Sequence, residues 1–174
     1  MASTDEAELT CLIRRLNLLS SYLKKRCVLF LKGQEDGRIR MDELAMAVSE
    51  ICTYLRPLGL RVGVEWMQPE SLRAQAALAL FDAFAELLRC AAAEGTESVF
   101  CRFTEEHVSF LLEPAPWIAP WAAAWQEEHA AVMTEDRGYA LMLTVFPIAA
   151  GAEERDGSAA AKDERDRGAA PWNA

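Results

Sequence analysis

The side chains of this 174-residue chain that could take part in chemistry are few and scattered. Two pairs of adjacent glutamates, Glu105-Glu106 and Glu127-Glu128, have the residue type for general acid–base work, and each is followed by a histidine, His107 and His129. Neighbouring residues in a turn or helix point apart, so carboxylates at this spacing are read as solvated charge. Each histidine is then an exposed, partly acid-paired imidazole. Cys90 would be a nucleophile only beside a base, and neither histidine is near it in sequence, so it is read as a core thiol. The five cysteines (Cys11, Cys27, Cys52, Cys90, Cys101) are odd in number and contain no CxxC pair. They are expected to be free thiols in a reducing compartment, with no metal site, because zinc needs more closely spaced ligands. No GxSxG, HExxH or DxDG pattern occurs, and no residue is assigned a catalytic role. Trp117, Trp121 and Trp125 stand at i, i+4 and i+8, a spacing that closes a core, walls a ligand pocket or offers one helical face to a partner.

These residues must be held by elements whose periodicity is clear. A long helix is predicted from Pro69 to a stop at Gly95, with Leu72, Ala76, Leu80, Phe84, Leu87, Leu88 and Ala91 on one face. Val99, Cys101 and Phe103 alternate with polar neighbours, as do Val108, Phe110 and Leu112, so two antiparallel strands follow. Before them, a first helix is predicted over Glu8–Lys32. Leu9, Leu12, Ile13, Leu16, Leu19, Leu23, Cys27 and Phe30 or Leu31 form a wide apolar stripe along it. Gly33–Arg40 reads as a turn, and Asp42 opens a second helix with Leu44, Ala47, Val48, Ile51 and Leu55 inward, ended by Pro57 and Gly59. Two helices joined this way make a hairpin.

Leu60, Val62, Val64 and Trp66 alternate as a strand. Glu113–Trp125 is too rich in proline to continue a ladder, and its tryptophans should cover an edge or the open end of the core, with a short helix near Trp121–His129. Ala131–Thr134 and Tyr139–Phe146 read as two more strands, the second apolar on both faces and so central and doubly covered. From Ala149 onward the chain is charge-rich and aperiodic, which predicts a disordered tail.

Composition narrows the function classes. At 52% hydrophobic residues and a mean hydropathy of −0.01, the body is globular. No apolar run approaches the roughly 20 residues of a membrane span. The acidic, polar first ten residues are unlike a signal peptide, so a cytoplasmic location is expected. Net charge is −9, yet residues 11–40 carry eight basic residues against two acids. An acidic body disfavours nucleic acid, whereas the basic first helix is either a solvated face or a dock for an acidic surface.

In order, helical hairpin, strand, long helix, two strands, irregular segment and two strands resemble the cytoplasmic part of bacterial sensor histidine kinases. There, a helical dimerisation segment feeds an ATP-binding domain of the GHKL class. MDELAMAVSEICTYLRPLGLRVGVEW resembles the passage from hairpin to domain, LFDAFAELLRCAAAEGTESVFCRF the helix-and-strand unit with the family's N box, and EDRGYALMLTVFP the closing strand. The resemblance implies that Glu86 takes the N-box glutamate position, while Cys90 stands where the family has a magnesium-binding asparagine. A neutral thiol is a poor ligand for that hard cation. The family's Asp-x-Gly-x-Gly turn is replaced by Leu112-Glu113-Pro114-Ala115-Pro116-Trp117, its glycine-rich lid by IAPWAAAWQEEH, and the hairpin contains no phosphoacceptor histidine.

The expected fold is α+β: a hairpin over residues 1–58, a two-layer α/β sandwich resembling the GHKL fold over 59–148, and a tail over 149–174. The expected function is that of a non-catalytic signalling module, a pseudokinase of bacterial two-component type. It would bind a response regulator, a kinase or a second copy of itself as a homodimer. Leu12, Leu16, Leu19, Leu23, Trp117, Trp121 and Trp125 are the interaction candidates, with no cofactor. The alternatives are an active kinase fragment using ATP and magnesium at an atypical site, and a small-molecule sensor that reuses the vacated pocket.

Overall fold

The computed structural model describes residues 2–67, 70–128, 130–138 and 140–147. The architecture is α+β, a helix pair packed on a two-layer sandwich. Helix α1 (Ala2–Asp36) is followed by strand β1 (Arg38–Arg40), helix α2 (Met41–Leu55) and a single 3-10 turn over Arg56–Leu58. Then come β2 (Arg61–Trp66), β3 (Ser71–Arg73), α3 (Ala74–Ala93), β4 (Ser98–Phe103) and β5 (Val108–Leu112). Helix α4 (Ile118–Glu128), β6 (Ala130–Asp136) and β7 (Leu141–Pro147) complete the described chain. The main sheet runs β2-β4-β5-β7-β6 and is mixed, because β2 and β4 pair in parallel across α3 while the other pairs are antiparallel.

In α2, α3, β4 and β5 the apolar faces read from periodicity are the faces buried, whereas the stripe read on α1 is left exposed. Leu44, Ala47, Val48, Ile51 and Leu55 of α2 lie in the core, as do Leu80, Phe84, Leu87, Leu88 and Ala91 of α3. Val99, Cys101 and Phe103 of β4, and Val108, Phe110 and Leu112 of β5, point at the same layer. One core cluster runs from Leu18 of α1 to Val145 of β7, so the hairpin and the sandwich share their interior. β7 does lie inside the sheet, with Leu143 and Val145 buried, but Met142, Thr144 and Phe146 on its other face are only half-buried.

Three boundaries differ from the periodicity. The first helix continues through Gly33 to Asp36 and turns at Gly37, whose φ of +66° suits glycine. Leu72, placed on the long helix by its spacing, sits in β3 opposite Ile39 of β1, and both are buried. Three-residue strands are too short for alternation to reveal. Pro69, the expected helix start, lies outside the described residues, as do Tyr139, His129 and the expected tail. Helix α4 also begins earlier than expected, because Pro120 falls in its first turn, where a missing N–H costs nothing.

Gly33 is where α1 meets the start of α3: a Cβ built there would stand 2.6 Å from the Cβ of Ala74. Gly33→Val is expected to lower stability by about 1–3 kcal/mol through overpacking. This should hold even though valine is the better helix former. The midpoint of a urea titration followed by circular dichroism checks it.

Candidate functional site

Helix α3 aligns Asp82, Glu86, Arg89 and Cys90 along the side that faces away from the sheet, since its opposite side is filled by Leu80, Phe84, Leu87 and Leu88. Glu86 and Cys90, the N-box positions implied by the resemblance, are one turn apart, and the Cys90 thiol reaches Glu86 Oε1 at 3.7 Å. The Glu86 carboxylate is engaged within its own helix: Arg89 donates to both oxygens, at 2.9 and 2.6 Å. That guanidinium holds the Glu86 pKa below the usual carboxylate value despite partial burial. Burial, reinforced by the negative charge of Glu86, pushes the Cys90 thiol up. A protonated thiol beside an already neutralised carboxylate is a poor nucleophile and a poor pair of ligands for a hard cation.

The other titratable candidates are not brought to this place. His107 lies in the β4–β5 turn, where its Nδ1 is 3.1 Å from Thr104 Oγ1 and its ring packs 5.1 Å from that of Phe146. It is half-buried and hydroxyl-bonded, which corrects the expectation of an exposed, acid-paired imidazole. Glu105 and Glu106 beside it are exposed. The cysteines are free thiols: Cys101 is buried, and burial raises the Cys52 thiol to about 11. Among the described residues, no three His, Cys, Asp or Glu side chains are placed to hold a metal ion.

The leucine and tryptophan candidates divide into three places. α1 uses one face for the fold, with Leu18, Ser21 and Leu29 buried and Ser21 donating to Glu50 at 3.1 Å. The leucine stripe is turned away from that face and is about half exposed, its Leu19 and Leu23 edge bordering α3 and α4: Leu12 is 55% exposed, Leu16 61%, Leu19 47% and Leu23 52%. Residues nine apart on an α-helix lie 180° from each other, which places Leu9 opposite Leu18. Trp121 and Trp125 stack at 5.5 Å on α4, Trp121 buried and Trp125 half-buried. Trp117 precedes that helix and lines a separate depression with Gly95 and Pro114, so the three indoles do not share a face.

Leu19 and Leu23 meet Trp121 and Trp125 across a groove of about 570 Å³ bounded by α1, α3 and α4, with Ala85 and Glu86 in its wall. The cross-tie beside it had no signal in the sequence. Asp82 of α3 accepts from Tyr22 Oη at 2.8 Å and from Arg26 Nε at 2.9 and 3.1 Å, joining residues more than fifty positions apart. The walls are thus indole and aliphatic surface, and the charged groups are paired with one another. Such a concavity accepts an apolar side chain or ring.

No protein-family model matches the chain, and no curated protein matches it. Among solved structures, the cytoplasmic segment of histidine kinase QseC is similar over 76% of this chain and 93% of its own, at 13% identity and a TM-score of 0.47. The histidine kinase domain of the Erythrobacter litoralis EL346 blue-light activated histidine kinase is similar over 83% of this chain and 82% of its own, at 12% identity and a TM-score of 0.49. Histidine kinase ThkA, solved in complex with response regulator protein TrrA, is similar over 76% of this chain and 48% of its own, at 14% identity and a TM-score of 0.44. At these values the likeness concerns the arrangement of elements, and function rests on this chain's own residues. In architecture the chain is similar to the cytoplasmic part of sensor histidine kinases.

Proposed function

We propose that this chain is a non-catalytic, histidine-kinase-like signalling module of the cytoplasm that acts by binding another protein. The partner would be a response regulator, a kinase or a further copy of the module. The observation that carries this reading is the outer face of α1, a row of leucines each about half exposed along a helix whose other face already holds the fold together. A soluble domain gains nothing from such a row in water, and contiguous apolar surface of this kind marks association sites. The Glu86–Arg89 pair supports the non-catalytic half, because its carboxylate is satisfied within the helix.

Calorimetric titration of the whole chain with magnesium–ATP tests the reading. No saturable heat is expected, and saturable binding at micromolar nucleotide would replace it with that of an active kinase fragment. The groove favours a second reading, a small-molecule sensor with Trp121 and Trp125 as its wall. A saturable change in tryptophan fluorescence against a metabolite panel would support that reading.

A further inference from the structure

We infer that the groove between α1, α3 and α4 takes an uncharged, planar ring compound carrying a hydrogen-bond acceptor for the indole N–H of Trp121. The inference rests on the second reading above, a small-molecule sensor, and names the class of its ligand.

An orphan donor points to that ligand. Trp121 lines the groove and is only 9% exposed, and its Nε1 is buried with no acceptor among the described residues. Buried indole N–H groups ordinarily have a partner, because a donor shut off from both protein and water forfeits its hydrogen bond. An acceptor brought in by a ligand restores that bond. Trp125 stacks on Trp121 at 5.5 Å and is half-buried, so it is the ring that turns aside to admit the ligand.

Shape and charge set the rest of the ligand. A volume of about 570 Å³ lies within the usual range for a small-molecule site. Leu19 and Leu23 form one wall and the stacked indoles the other, a slot that suits a flat ring extending the stack. The small side chains of Ala85 and Ala124 leave room along it. The four charged groups around the groove cancel in pairs, Arg26 with Asp82 and Arg89 with Glu86. A charged ligand would have to break one of those pairs to be met, whereas a neutral one leaves both intact. The same pairing disfavours the phosphates of a nucleotide.

Quinoline, isoquinoline and naphthalene are matched probes. All are flat, fused-ring compounds, uncharged at neutral pH, and only the first two present a ring nitrogen as acceptor. Each is titrated into the whole chain and followed by nitrogen–proton NMR of the indole groups. At least one of the nitrogen compounds should bind about 5–10-fold more tightly than naphthalene and move the Trp121 indole proton downfield. Trp121→Phe keeps a ring and loses the donor, so it should bind all three alike. Ala85→Leu narrows the slot from its wall and leaves the core untouched. It should block all three while its circular dichroism stays that of a folded chain, which keeps the test open if Trp121→Phe does not fold. Naphthalene bound as tightly as both nitrogen compounds, a preference that survives Trp121→Phe, or binding that survives Ala85→Leu would each overturn the inference. So would no binding of any probe. In all these cases a saturable response to the metabolite panel leaves the sensor reading standing, and a silent panel defeats that reading as well.

Discussion

Phe84→Ala is expected to destabilise the fold by about 3–5 kcal/mol, the range for deleting a fully buried ring that its neighbours cannot replace. Phe84 is inaccessible to solvent and sits at the middle of α3, where the helix crosses the sheet. Its ring lies 5.5 Å from that of Phe103 in β4, and Phe103 in turn stacks on Trp66 of β2 at 4.5 Å. Three elements are therefore pinned through one column of rings, and removing its first member leaves a cavity at the junction of the two layers. A loss of this size is a large part of the 5–15 kcal/mol that holds a typical domain folded. Urea titration should show a lower midpoint at an unchanged slope. Phe100→Ala is the control: that ring lies on the outer face of the sheet, 42% exposed, and its loss should cost only about 1 kcal/mol. Equal effects would mean that the ring column is not what joins α3 to the sheet.

Asp82→Ala is expected to cost about 2–3 kcal/mol, because hydrogen bonds to a charged group are worth more than neutral ones and two donors lose their acceptor together. Those donors, Tyr22 and Arg26, are one turn apart on α1, so the change should loosen the seat of α1 on α3 more than the sheet. Faster amide exchange in α1 than in β4 and β5 checks that location. The same cross-tie predicts a pH dependence. Burial, then the adjoining Asp82 carboxylate, raises the Tyr22 phenol above its ordinary value of about 10. The folded state therefore keeps its proton longer than the unfolded chain. The contribution is complete below about pH 10 and is lost as pH rises toward the folded pKa. Stability of the wild type should fall on the alkaline side of pH 10, and Tyr22→Phe should flatten that fall. An alkaline limb unchanged in Tyr22→Phe would assign it to other groups.

Much of the architecture was legible from local pattern. The 3–4 spacing of Leu80, Phe84, Leu87, Leu88 and Ala91, and the alternation of Val99, Cys101 and Phe103, each select one buried face whatever lies across from it. Gly59 and Gly95 mark stops for a local reason too, since both adopt the positive φ that ends a helix. Resemblance also put Glu86 and Cys90 one turn apart on a helix, and their spacing along the chain is enough for that. What failed locally were the short pieces. Leu72 looks like another helical apolar residue until Ile39 is seen across from it, and Gly33 looks like a stop until Ala74 is seen pressed against it.

By itself, then, the sequence determined which of the longer segments are helix and strand, and that the first helix carries a broad leucine stripe. Only the tertiary structure decided which face of that helix turns inward, and it chose Leu18, Ser21 and Leu29 over the leucine row. Hydrophobic periodicity states that a face is apolar. It does not state whether that face meets the same chain, a different one or water, because burial depends on what long-range packing brings near. The groove between Leu23 and Trp125, and the cross-tie from Asp82 to Tyr22 and Arg26, arise in the same way from residues distant in sequence and adjacent in space.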